Sequence, residues 1–119
     1  MPQVLIVDDN PTFRNQLADL LRQAGAVRVH TAADIPQALE RIADCAYDLA
    51  VVDVLLPSTN GLEGARLLRE RCPGLRIVLV SAYPQFAAAA ATVGVDAFYA
   101  KDDLDLATMR GWLQEEHLT

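Results

Sequence analysis

The chain has 119 residues, 52% of them hydrophobic and 22% charged, which suits one domain around one core and excludes a disordered polypeptide. Its 16 acidic and 10 basic residues leave a net charge of −6, a balance that argues against direct nucleic-acid binding, since phosphate recognition needs a basic surface. Charged residues interrupt every apolar stretch before it could span a membrane, and the opening MPQVLIVDD lacks the basic-then-apolar pattern of a secretory signal.

A cytoplasmic protein without a membrane partner is therefore the expectation. Cys45 and Cys72, far apart and outside any CxxC pattern, read as reduced thiols rather than a disulfide or a metal site.

Apolar runs and helical periods alternate along the whole sequence. VLIV (4–7) reads as a strand. Asn10-Pro11 is a cap followed by proline at the first helical position; Phe13, Leu17, Leu20 and Leu21 then repeat at helical spacing up to a stop at Gly25. VRVHTA (27–32) is the second strand, and Asp34 caps a helix with Ile35, Leu39 and Ile42 on one face. LAVVDVLL (49–56) is apolar at successive positions, the mark of a strand covered on both faces. The loop PSTNG leads to a third helix carrying Leu67 and Leu68, ending near Pro73-Gly74. RIVLVSA (76–82) is the fourth strand. An alanine-rich helix runs from about Pro84 to Val93 and stops at Gly94; AFYAK (97–101) is the fifth strand, and 104–116 the last helix, with Leu106 and Leu113 setting its core stripe. Off that stripe, Met109 and Trp112 read as partly buried against a neighbouring helix, with a partner surface as the other option. His30 and His117 have no companions at ligand spacing and receive no site role.

Five strands alternating with five helices predict a single α/β domain over 1–119: a three-layer, doubly wound (βα)5 unit with a parallel sheet in the flavodoxin-like order 2-1-3-4-5. Ligands in such sheets bind beyond the carboxyl ends of the strands. Those ends carry Asp8 and Asp9 (strand one), Asp53 (strand three), Ser81 (strand four) and Lys101 (strand five). Each alone has an ordinary explanation as a turn former, a backbone-bonded hydroxyl or a solvated charge, and Asp9 competes for the helix cap. Together they describe one rim, where carboxylates are tolerated around a hard cation such as Mg²⁺ and a lysine faces an arriving anion. A phosphoryl group accepted by the Asp53 carboxylate fits that anion best.

The motifs VLIVDDN, LAVVDVLLPSTNG, VLVSAY and GVDAFYAK, spread over nearly the whole chain, resemble the receiver domain of two-component response regulators. The resemblance implies that Asp53 accepts phosphate from a sensor histidine kinase or a histidine phosphotransfer protein. It implies Mg²⁺ held by Asp9, Asp53 and the backbone carbonyl of Leu55, with Asp8 helping through water. Ser81 and Lys101 would contact the phosphoryl oxygens. Phe98 matches the switch aromatic whose ring turns inward as Ser81 moves, remodelling the face of the fourth helix, fifth strand and fifth helix; a plain core residue is the competing explanation, with Tyr99 adjacent. That face would address a downstream output protein or domain and allows a homodimer. Leu55 and Tyr83, two residues past Asp53 and Ser81, flank the path of attacking water and predict slow loss of phosphate.

The sequence also departs from that pattern. The stretch from Ser81 to Gly94 is short by about half a helical turn, Ala87 to Ala91 offers little side-chain relief, and Asp102 follows Lys101 where many receivers have proline. A receiver-like interaction module that is never phosphorylated is one alternative. A Mg²⁺-dependent phosphatase of the haloacid dehalogenase type is another, although Asp8-Asp9-Asn10 is not its DxD motif. The resemblance implies a phosphoacceptor signalling domain rather than an enzyme, and the first strand–helix turn lacks a glycine-rich nucleotide loop.

Overall fold

The computed structural model describes residues 2–26 and 28–114. Five parallel strands, β1 (Gln3–Val7), β2 (Arg28–Ala32), β3 (Leu49–Asp53), β4 (Arg76–Ser81) and β5 (Ala97–Ala100), form one sheet in the order 2-1-3-4-5. Helices α1 (Pro11–Ala24), α2 (Ile35–Arg41), α3 (Gly61–Arg71), α4 (Ala87–Thr92) and α5 (Leu106–Gln114) connect or follow them. This is the flavodoxin-like arrangement that the alternation of elements predicts.

Successive strand residues face opposite sides of a sheet, so a sheet covered on both faces needs apolar residues at every position. Leu5, Val7, Ala50, Val52, Ile77 and Leu79 pack on one side with Ile35, Ala38, Ala65 and Leu68 of α2 and α3. Val4, Ile6, Leu49, Val51, Val78 and Val80 pack on the other with Leu17 and Leu21 of α1 and Met109 and Leu113 of α5. Alternation carries this parity to the strand ends. Asp8 and Asp53 continue the α1/α5 side, as does Lys101, two residues past Tyr99; Ser81 and Phe98 continue the α2/α3 side. Register keeps the ends level, with Val7 opposite Val52, Asp53 opposite Val80, and Ser81 opposite Ala100.

The helix termini follow their sequence signals. Asn10 Oδ1 accepts from the amides of Thr12 and Phe13, Asp34 Oδ1 from Gln37, and Asn60 Oδ1 from Glu63. Gly25, at φ 120°, closes α1 in a left-handed conformation that costs glycine little.

Several expectations need correction. Cys45 and Cys72 are joined in a disulfide, with Cα atoms 5.6 Å apart, because the turn after α2 places Cys45 at φ 53° beside the end of α3. Met109 and Trp112 are core residues, 0% and 3% exposed, whereas Leu106 is only half-buried; the buried stripe of α5 is Met109, Trp112 and Leu113. The alanine-rich segment begins as a 3₁₀ turn, Pro84–Phe86, before α4, since Tyr83 provides no side-chain cap. β3 ends at Asp53 and Lys101 opens a 3₁₀ turn just past β5. Val27, the end of the last predicted helix and His117 lie outside the described residues. No described helix is long and apolar enough to cross a membrane.

Candidate functional site

The carboxyl ends of β1, β3 and β5 bring Asp8, Asp53 and Lys101 together. Asp8 is 1% exposed and Asp53 6%. Each carboxylate divides its oxygens in the same way. Asp8 Oδ1 accepts the Asn10 amide at 2.8 Å, and Asp53 Oδ1 the Leu55 amide at 3.3 Å. Lys101 Nζ donates to Asp8 Oδ2 at 2.8 Å and to Asp53 Oδ2 at 3.3 Å. The backbone amides fix both rotamers, and one ammonium bridges the remaining oxygens.

Asp9 completes the acidic group from the solvent side. Asn10 supplies the α1 cap, so the Asp9 carboxylate is not consumed there. One carboxylate oxygen from each of Asp8, Asp9 and Asp53 lies within 4.8 Å of the others. Oxygens on a Mg²⁺ ion at 2.0–2.1 Å stand about 2.9 Å apart when adjacent and about 4.2 Å when opposite. The all-oxygen donor set therefore suits a small hard cation, which would draw the three oxygens in to these separations.

Charge crowding sets the protonation chemistry. Burial, and then the Asp8 carboxylate, push the Asp53 carboxyl up to about 6, against the pull of Lys101 and the Leu55 amide. Near neutral pH it is mostly ionised. Burial alone would lower the Lys101 ammonium, but the Asp8 hydrogen bond and the charges of both carboxylates outweigh it and raise its pKa.

The loop after Asp53 is held very close. Gly61 N–H donates to the Val54 carbonyl at 2.7 Å, and a Cβ on Gly61 would stand 2.0 Å from the Asp53 carbonyl oxygen. Only glycine lets the first turn of α3 press against the Asp53 backbone at this distance.

Ser81 is at the rim and fully buried, but it leaves β4 toward the α2/α3 side and its Oγ accepts the Tyr83 amide at 3.0 Å. Phe98 is half-buried on the same side, against the cluster containing Leu79 and Ala90. These two residues thus share a face while Asp8, Asp53 and Lys101 share the other. Among the described residues, Leu55 and Tyr83 are the large apolar side chains most open to solvent, 47% and 49% exposed. Two neighbours went unnoticed at the sequence level. Phe13, assigned there to the α1 core stripe, lies with its ring centroid 4.1 Å from Lys101 Nζ. Arg14 Nη1 donates to the Asp8 carbonyl at 2.9 Å. The only sequence signal for either was proximity to the acidic pair.

Known proteins bear on this geometry. The chain is 38% identical over 96 residues to the photosynthetic apparatus regulatory protein RegA of Cereibacter sphaeroides, covering 79% of this chain and 50% of that protein. It is 34% identical over 79 residues to protein-glutamate methylesterase/protein-glutamine glutaminase 2 of Caulobacter vibrioides, covering 66% of this chain and 23% of that protein. The chain therefore spans from about a quarter to a half of the length of these relatives. Among solved structures, the response regulator protein TrrA from Thermotoga maritima, in complex with Mg²⁺-BeF, superposes with a TM-score of 0.85 at 26% identity, covering 97% of this chain and 98% of that one. The family model described as the response regulator receiver domain matches residues 4–110, and the chain belongs to that family of two-component signalling domains.

Proposed function

We propose that this receiver domain, spanning 1–119, accepts a phosphoryl group on Asp53 from a phosphohistidine of a sensor kinase or phosphotransfer protein. One Asp53 Oδ attacks phosphorus, the Oδ–P bond forms, and the donor's P–N bond breaks, leaving neutral imidazole once a proton is taken up. The observation that carries this reading is Lys101 Nζ within hydrogen-bonding distance of both Asp8 and Asp53.

The protein's own residues do most of the work. The Leu55 amide orients the Asp53 carboxylate, and its ionised form near neutral pH is the nucleophile. Lys101, already at the rim, can turn its donors toward the phosphoryl oxygens as they arrive. Mg²⁺, held by Asp9, Asp53 and the Leu55 carbonyl with Asp8 acting through water, would supply charge neutralisation at those oxygens. Ser81 would give up the Tyr83 amide to meet the phosphoryl group, and Phe98, on the same face, would follow. The α4–β5–α5 face then differs between the two states and addresses an output protein, an output domain or a second copy.

The test adds Mg²⁺ with acetyl phosphate or beryllofluoride to the wild type and to Asp53→Ala. Trp112 packs 5.4 Å from Tyr99, two residues before Lys101, and provides a fluorescent reporter. A saturable response with one added phosphoryl group, in the wild type only, supports the reading. Silence in both proteins favours an interaction module, and steady release of phosphate from many esters favours a phosphatase.

A further inference from the structure

The sequence contains one lysine, Lys101, against nine arginines. Its side chain is 18% exposed, and its ammonium has three N–H donors to place. Two meet Asp8 Oδ2 and Asp53 Oδ2, and the ring of Phe13 lies on another side, 4.1 Å from Nζ. The ammonium is thus surrounded by two carboxylates and a π face.

We propose that Phe13 is a positioning residue for phosphoryl transfer: its ring face seats the Lys101 ammonium between Asp8 and Asp53, where the phosphoryl oxygens arrive. This rests on Asp53 being the acceptor. The start of α1 is well placed for such a role. Asn10 Oδ1 caps the Phe13 amide, and the next residue, Arg14, grips the Asp8 carbonyl, so the ring is tied to the loop bearing the acidic pair. Packing alone would be met by any apolar side chain of similar size at this half-buried position, and would place no requirement on a ring face. A ring also suits the chemistry. Its quadrupole attracts a cation but adds no net negative charge, so Lys101 gains a third support without a third anion to leave when the phosphoryl group comes. A carboxylate there would compete with that group and repel it.

The test uses Phe13→Leu, which keeps apolar volume without a π face, and Phe13→Tyr, which keeps the face. Phosphoryl uptake from acetyl phosphate with Mg²⁺ is followed by intact mass. Phe13→Leu should be slower by roughly 3- to 10-fold, the range for a partly desolvated cation–π contact, and Phe13→Tyr should recover most of the rate. The single lysine makes a direct reading available. With labelled lysine, the ε-methylene signals of wild type and Phe13→Tyr should lie upfield through the ring current, and those of Phe13→Leu should move to the position of an unstacked lysine. In a Lys101→Ala background, Phe13→Leu should cost no further rate. Equal rates for wild type and Phe13→Leu, or a rate loss that persists undiminished in the Lys101→Ala background, would overturn the role of Phe13 while leaving Asp53 as acceptor. No phosphoryl uptake by the wild type would overturn both.

Discussion

Replacing Gly61 by alanine should disturb Asp53 without touching its side chain. The added Cβ would stand 2.0 Å from the Asp53 carbonyl oxygen and 2.8 Å from both Asp53 C and Val54 Cα. All three are backbone atoms, so no rotamer change relieves the contact. Reaching ordinary van der Waals distance requires the start of α3 and the end of β3 to separate by more than 1 Å, about the scale of overpacking that costs 1–3 kcal/mol. The same movement stretches the 2.7 Å bond from Gly61 N–H to Val54 O, with a further loss of about 1 kcal/mol, while alanine's better helix propensity returns at most about 1 kcal/mol. The net expectation is a destabilisation of about 2 kcal/mol, or roughly 10 °C in Tm for a domain of this size. Calorimetry of Gly61→Ala beside Gly111→Ala gives the comparison. Gly111 lies in α5 with nothing within 4 Å of its added Cβ, so that change should stabilise by roughly 0.4–1 kcal/mol. Because the Leu55 amide and the Asp53 carbonyl move together, phosphoryl uptake should also slow in Gly61→Ala. A melting temperature within 2 °C or so of wild type would refute the steric reasoning.

Other perturbations test separate parts of the molecule. Leu55→Asn should hasten loss of phosphate from the phosphorylated protein by giving water a polar approach beside Asp53; equal or slower decay counts against the shielding role. In a chelator, Asp53→Asn should melt above wild type at pH 7.5, and that gain should shrink as pH falls through about 6 toward 4. The sign follows from a carboxyl raised in the folded state: Asp53 favours folding most below its unfolded value of 3.8 and loses that contribution as pH rises through about 6. A gain that is constant across this range would contradict the crowding of Asp53 by burial and Asp8. Cys45→Ser should lower stability by about 3.5 kcal/mol, the loop-closure figure for a sequence separation of 27, and addition of a reductant to wild type should produce the same drop in Tm. Melting curves unaffected by reductant would contradict the Cys45–Cys72 link.

The sheet and most of the rim were legible because they follow from period and punctuation. Consecutive apolar residues ending on Asp8 and Asp53 mark buried strands, and in an α/β sheet their carboxyl ends converge whatever the loops do. Asn10-Pro11 and Asp34 act locally, and the structure keeps both caps. The failures share a cause, dependence on distant contacts. Cys45 reaches Cys72 only through a left-handed turn at a non-glycine residue, which nothing in ADCAYD announces. The stripe of α5 is rotated toward Met109 and Trp112 because α1 and the sheet both press on that helix. Phe13 reads as an ordinary stripe residue, and its place over Lys101 depends on how α1 meets the turn after β5.

The parity of the strand ends divides the rim by its consequences. Asp8, Asp53 and Lys101 lie on the α1/α5 side and the Ser81–Phe98 pair on the opposite side, so under the proposed function a signal would pass through the thickness of the sheet at the tips of β4 and β5. Two families of defective variant should therefore exist: some that never take the modification, and others that carry it normally yet stay silent to their listener.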